Sequence, residues 1–406
     1  MQKFEKHSPV VVTEVTTKHE LRQFMQYPNR LYADNPNYIP SFYGDDLSDW
    51  TPGKNPAFDY CEARCWLARR DGEIVGRIGA ILSHKANDKF GTHRMRFSQV
   101  DFVDDSEVSA ALFGTVERWA REKGCDQVHG PLGFTDMDRE GMLVEGFDRR
   151  SLFFTNYNAP YYLEHLTRLG YRKDVDWIEY RITVPEPGGA EAERLHKLSE
   201  FILKRKHLHV ATVHHKSEYG PFVRQVFELV NAAYAPLYGV VELSDEQIER
   251  YANKFIPLVD PDFVCFVVDE QDQLVAFGVT ALDPSVALKH SDGRLFPFGW
   301  AGVLNDLHHS DTLIMLLTAV RPDLQTEGIN AVMMDHVCQS CNRHGVRFAE
   351  TGPMLELNDH ILAQWKQLEK EQHKRRRCFI KDLDHDVNAA NAAAAQTETP
   401  ETESAE

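Results

Sequence analysis

The chain has 406 residues, 42% hydrophobic and 26% charged, a globular balance with material for two cores. Its 62 acidic residues outnumber 45 lysines and arginines, for a net charge of −17, and the base-free segment 382–406 accounts for only part of that excess. Such a body lacks the basic face that nucleic acid binding requires and suits a cationic or amine substrate.

In chain order, Val10–Thr16 is β-branched and reads as a strand, followed by a helix over 18–28 and an irregular stretch over 29–60 rich in Pro, Asn, Tyr and Asp. Cys65–Arg69 and Ile74–Leu82 flank Asp71-Gly72, a hairpin signal, and Arg94–Phe102 is a further strand. Ser106 is placed to cap a helix over 107–123, in which Val108, Leu112, Val116 and Trp119 recur at helical spacing; a strand over 126–129 follows Gly124. The second half repeats the order. Helices are expected over 191–208, 221–233 and 244–254, strands over 209–214, 263–268, 274–280 and 312–320, a helix over 327–343, a strand over 346–351, a helix over 358–371 and a closing strand over 377–381. Residues 384–406 read as a low-complexity, disordered acidic tail.

The seven cysteines have no framework spacing, which points to a reducing, cytoplasmic setting, and Cys338-Gln-Ser-Cys341 reads as a pair of buried helix thiols. Met1–Lys6 has no apolar core of a signal peptide, and no run approaches the roughly 18 apolar residues of a membrane span.

The most informative segment is Val320-Arg-Pro-Asp-Leu-Gln-Thr-Glu-Gly-Ile-Asn-Ala331. A buried strand ends, a short turn follows, and a helix opens near Gly328 with its free amides forward, an arrangement that suits a pyrophosphate. Gln325, Gly328 and Asn330 resemble the Q/R-x-x-G-x-G/A coenzyme A loop of the GNAT superfamily of acyl-CoA N-acyltransferases, with Asn330 departing at the third anchor. The first half resembles a second GNAT unit without the loop, its equivalent turn being Val103-Asp-Asp-Ser-Glu-Val108; its end, Asn156–Tyr171, is similar to the superfamily's closing helix and turn. Asn55-Pro-Ala-Phe58, Gly130–Asp138, Gly141–Gly146, Gly293–Gly299 and His373–Cys378 resemble signatures of a bacterial tandem-GNAT group similar to the bacterial ceramide synthases.

The resemblance implies an α/β fold with mixed sheets in two tandem GNAT-like domains, 1–185 and 186–383, with coenzyme A bound only by the second. It implies transfer of an acyl group from acyl-CoA, or an acyl carrier protein, to the amine of a long-chain sphingoid base, with no metal and with peripheral membrane contact for a lipid product. A small-amine or peptide acetyltransferase and a non-catalytic coenzyme A-binding module are the alternatives. The cofactor residues so implied are Val320, Gln325, Thr326, Glu327, Gly328, Ile329, Asn330 and Ala331.

Amide formation needs a base, a polarised carbonyl and a proton for the departing thiolate. Backbone N–H groups of Thr318–Val320 would polarise the carbonyl, and Glu350, ending the next strand, is a candidate base beside the loop polar residues Glu356 and Asn358. In the first half, Thr135, Asp136, Asp138, Glu145 and Asp148 form an acidic, glycine-rich loop fit to attract an ammonium group and to raise one another's pKa. Tyr157, Asn158 and Tyr161 are candidates to bond a substrate hydroxyl or protonate a thiolate. Arg294, Phe296 and Phe298 would line an acyl channel, and the basic run His373–Arg377 would meet a phosphate or an anionic membrane.

Overall fold

Alternating strands that need one covered face, and amphipathic helices that supply the cover, account for the architecture. The structure is a computed structural model that describes residues 8–383; the expected tail 384–406 lies outside the described residues. The first half runs β1 (Val11–Glu14), α1 (Lys18–Leu31), α2 (Tyr43–Asp49), β2 (Cys61–Arg70), β3 (Glu73–Ser83), α3 (His84–Phe90), β4 (Arg94–Phe102), α4 (Ser106–Glu122), β5 (Gln127–Gly130), β6 (Met142–Glu145), α5 (Tyr162–Arg168) and β7 (Arg172–Thr183). The second runs α6 (Ala190–Lys206), β8 (His209–Val210), α7 (Gly220–Tyr234), α8 (Asp245–Phe255), β9 (Val264–Val268), β10 (Leu274–Leu282), α9 (Ser285–His290), α10 (Gly299–His309), β11 (Thr312–Val320), α11 (Asn330–His344), β12 (Phe348–Glu350), β13 (Met354–Leu355), α12 (Asp359–Ala363) and β14 (Lys370–Asp382).

All fourteen strands join one mixed sheet. Its order is β1-β2-β3-β4-β5-β14-β7-β12-β11-β10-β9-β8, with β6 on β14 and β13 on β7. In each half an antiparallel hairpin leads to one parallel pair, β4 with β5 and β11 with β12, reached through a crossover helix, α4 or α11. The closing strands are exchanged. β14, from the end of the chain, lies between β5 and β7, while β7 pairs with β12. The sheet therefore runs without a break through 1–185 and 186–383.

Opposite charges meet along that seam. β7 carries Asp176 and Glu179, and the basic run of β14 falls opposite them, with Lys374 in register with Glu179. Lys374 and Arg376 are fully buried and both bond Glu179; Arg375 and Arg377 bond Asp176. The expected helix over 358–371 accordingly stops at Ala363, and the strand begins at Lys370, seven residues before the expected start. The basic run is thus spent inside the sheet and presents no phosphate- or membrane-binding face.

Other departures are local. Asp105, not Ser106, caps α4, accepting from Glu107 and Val108 N–H at 2.8 and 3.3 Å. Helices α2, α3, α9 and α10 form over short segments where no helix is expected from the sequence. The first half packs Phe97, Phe102, Phe113, Trp119 and Tyr162 around α4. In the second, α11 covers one sheet face with Ile329 and Val332, and α7 and α8 cover the other with Phe227 and Tyr251. Among the described residues no helix is long and apolar enough to cross a membrane.

Candidate active site

The site begins where two parallel strands part. β11 pairs with β12 only from Thr312↔Phe348 to Ile314↔Glu350. Thr351 then turns to β7, its N–H donating to Tyr180 O and its Oγ1 accepting from Tyr180 N, both at 2.9 Å. Met315–Val320 is left with a free edge. On its other edge β11 bulges, because Leu317 opposes Val279 and Met315 opposes Thr280, so Leu316 is an extra residue outside the ladder. A cavity of about 190 Å³ fills the wedge, lined by Met315, Thr318, Met333, Val337, Met354 and Trp365 and reaching Asn330 at the loop.

The loop after β11 is built as its glycine demands. Val320 is followed by a single 3-10 turn at Pro322–Leu324, and Gly328 has φ +79°, which only glycine adopts without strain. A Cβ there would also lie 3.1 Å from Ile202 Cδ1. Ile329 precedes α11 without a side-chain cap, and the N–H groups of Gly328, Ile329 and Asn330 have no acceptor among the described residues. Gln325 braces the turn by donating to Val320 O at 3.3 Å, Glu327 pairs with Lys206 at 2.6 Å, and Ile329 and Ala331 are buried in the core with Val320. Free amides at a helix N-terminus beside a bare Cα fit a pyrophosphate, and the apolar wedge below fits a thioester arm. Gly328, Ile329 and Asn330 are the residues that would hold it; Thr326 is exposed and Glu327 is half-buried against Lys206.

The first half faces this strand with its acidic loop. Gly133 allows the loop to close on itself, since a Cβ there would overlap Asp138, whose Oδ2 accepts from Phe134 N at 2.8 Å and Thr135 N at 3.0 Å. Asp136 and Asp138 are both pushed up to about 6. For Asp136 the cause is burial, then the Asp138 charge, opposed by Arg96; for Asp138 it is burial, then Asp49, opposed by Lys254 and the two N–H bonds. Glu140 is raised well above the ordinary carboxyl range by burial and by both aspartates. Nearby Asp46 and Asp49 are matched by Arg139 and Arg250. Among the described residues, Asp136 and Glu140 make no ion pair and no side-chain hydrogen bond. Tyr234, at the end of α7, links the loop to the wedge: it lines the wedge cavity, donates to Thr318 O at 2.7 Å, and has its hydroxyl raised by burial and by the Asp136 charge.

Not every expected residue joins this cluster. Glu350 turns to the opposite side of β12 from the wedge-lining Ala349, and bonds Lys374 at 3.1 Å in the seam. Glu145 lies on β6, exposed, 3.4 Å from Arg375. Tyr157 accepts from Asn35 at 2.6 Å, Asn158 bonds both Leu143 N and O, and Tyr161 donates to Phe102 O, so all three serve the first half's own packing. Asn358 caps α12. Arg294 stacks over Tyr43, and Phe296 and Phe298 are each 80% exposed, lining no described cavity instead of the expected channel. Tyr234 and Glu140 were not legible. Tyr234 ends an ordinary apolar helix, and Glu140 acquires its role only from burial beside Asp136.

Elsewhere, His129, Asp174 and Cys378 gather their donor atoms within 4.8 Å of one another. The Tyr238 hydroxyl bonds all three, and Arg94 stands 3.8 Å from Asp174, so the group is satisfied as a strut between the halves. Cys338 and Cys341 are buried in α11, with thiols pushed up to about 11 and about 12 by burial.

No family model matches the chain. It is 27% identical over 379 residues to Protein YghO of Escherichia coli (strain K12), covering 92% of this chain and 95% of the relative. It is 28% identical over 300 residues to a bacterial ceramide synthase of Caulobacter vibrioides, covering 72% and 75%. Among solved structures, a tandem GNAT protein from the clavulanic acid biosynthesis pathway superimposes over 92% of this chain and 99% of its own, with a TM-score of 0.52 at 13% identity. A GCN5-related N-acetyltransferase from Sphaerobacter thermophilus does so over 92% and 96%, with a TM-score of 0.50 at 12% identity. The parted parallel strands, the bulge and the glycine loop before α11 are set in a chain that has the tandem GNAT fold.

Proposed function

We propose that this chain is an acyl-CoA-dependent N-acyltransferase whose acceptor is a long-chain amine of the sphingoid-base class. The observation that carries the reading is the meeting of the wedge of the second half with unpaired carboxylates of the first, across Tyr234. Bound in the wedge, the acyl-CoA would supply a thioester's activated carbonyl carbon. Gly328, Ile329 and Asn330 hold the pyrophosphate through their N–H groups, and the free edge of β11 offers backbone N–H groups to the carbonyl oxygen. The carboxylates of Asp136 and Asp138 attract the ammonium form of the acceptor. With pKa values near 6 they are mostly ionised at neutral pH and poised to take the amine proton as the C–N bond forms and the C–S bond breaks. Tyr234, whose side chain lines the wedge, is assigned the role of giving a proton to the departing thiolate.

The similarity to a ceramide synthase supports the sphingoid acceptor. An acyl carrier protein is the other donor compatible with the wedge. A membrane contact fits a lipid product, and its support is an apolar cap on α9, α10 and the segment between them: Val286, Phe296, Phe298, Trp300 and Leu304 are all exposed. The test is mass spectrometry of the protein incubated with acetyl-CoA or palmitoyl-CoA and with sphinganine or 3-ketosphinganine. An N-palmitoyl product supports the proposal; acetylated product alone would move the assignment to a small-amine acetyltransferase.

A further inference from the structure

A second apolar cavity lies on the opposite face of β11, under α7 and α8. It measures about 80 Å³ and its lining is apolar apart from the Tyr219 hydroxyl; Val223, Phe227, Ala252 and Phe255 form the wall away from the sheet. Close-packed interiors leave few such spaces, and a dry cavity with hydrocarbon walls takes hydrocarbon ligands. Its position is specific. Val279, Leu316 and Leu317 line both this cavity and the wedge, so the bulge of β11 is the partition between them. Met137 lines both this cavity and the polar one that contains Asp138, and it stands in sequence between Asp136 and Asp138. The apolar space thus adjoins both places where reacting atoms are held: the strand edge that receives an acyl carbon and the carboxylates that receive an amine.

We infer that this cavity takes a few carbons, about three at its volume, of an alkyl chain attached to one of the two reacting groups, and so favours longer chains over short ones. The inference rests on the acyl-transfer reading above. A two-carbon acyl group or a short amine would leave the space empty, whereas a longer chain reaches it where Leu316 or Met137, the shared lining residues, yield to it. The same chemistry has two sources, the tail of the acyl donor and the tail of the amine, and the test separates them.

The test narrows the cavity from its far wall with Ala252→Phe on α8 and, as a second variant, Val223→Phe on α7. Thermal melting confirms that each is folded. Initial rates are then taken with acetyl-, octanoyl- and palmitoyl-CoA against a fixed amine, and with hexylamine, dodecylamine and sphinganine against a fixed donor. We expect the long-to-short ratio of kcat/KM to fall at least tenfold in one series, and the affected series names the chain. Unchanged ratios in both series, in either folded variant, overturn the inference while leaving acyl transfer intact. If the parent protein forms no product with any pair, the functional reading fails instead. The cavity is then read by binding of 11-(dansylamino)undecanoic acid: loss of probe binding in Ala252→Phe supports an alkyl site, and equal binding overturns it.

Discussion

At Gly328 a single hydrogen atom separates the proposed anion loop from a blocked one. Positive φ and a neighbour 3.1 Å from any Cβ make Gly328→Trp incompatible with close approach of a phosphate, while the position's partly exposed turn spares the core. We expect calorimetric affinity for coenzyme A to fall more than tenfold, with Tm lowered by only a few degrees. Asp136 and Asp138 make a pH prediction. With carboxyls near 6 acting as carboxylates, kcat/KM should rise with pH through about 6; Asp136→Asn should lower it by about 10²–10⁴ and remove that limb. Stability should move the other way. A carboxyl whose folded pKa is raised binds its proton more tightly folded than unfolded, so between about pH 4 and 6 stability falls as pH rises. Asp136→Asn should therefore melt higher than the parent at pH 8 and equally near pH 4. Such a trade of stability for activity is expected of uncompensated charge at a site. Gly328 and the aspartates were legible because loop geometry and charge density are local. Glu140 and Tyr234 were not, because their surroundings come from segments far apart in the chain.

At the scale of elements, the seam of β7 and β14 shows where sequence reading stops. His373–Arg377 reads as a solvated basic face when its partners are out of sight. Asp176 and Glu179 lie about two hundred residues earlier, and the strand pairing brings them into contact. The hairpins, the crossover helices α4 and α11 and the repeat of their order were legible from periodicity and turns. The exchange of closing strands was not, since strand neighbours across halves leave no mark in either segment. Buried ion pairs add little net stability when intact but leave an unmatched charge when broken. Glu179→Gln should cost about 3–5 kcal/mol in denaturant unfolding, because Arg376 and Lys374 are both fully buried around it. Replacing both members, Glu179→Leu with Arg376→Met, should cost less than the single change; an equal or greater loss would contradict this account of the seam.

The whole molecule is acidic, yet one edge interrupts that field. Segment 284–310 carries two acids and two bases and holds five of the exposed large apolar residues, with Trp300 donating its indole N–H to Pro297 O at 3.2 Å. Aromatic and leucine side chains with their polar atoms already bonded suit the boundary between lipid headgroups and acyl chains. In flotation with vesicles of phosphatidylglycerol and phosphatidylethanolamine, the parent should rise with lipid and Phe296→Ser/Phe298→Ser should stay in the dense fraction. Equal partitioning of both proteins would remove the membrane contact from the reading.

In the proposed reaction, two half-sites, one from each half of the chain, meet to move an acyl group onto an amine. The most direct measurement is mass spectrometry of product from palmitoyl-CoA and sphinganine, run with the parent, Gly328→Trp and Asp136→Asn side by side. An N-palmitoyl amide is expected with the parent, reduced at least a hundredfold when either half-site is altered. Product formed undiminished by Asp136→Asn would contradict it, because the amine would then be activated without the first half.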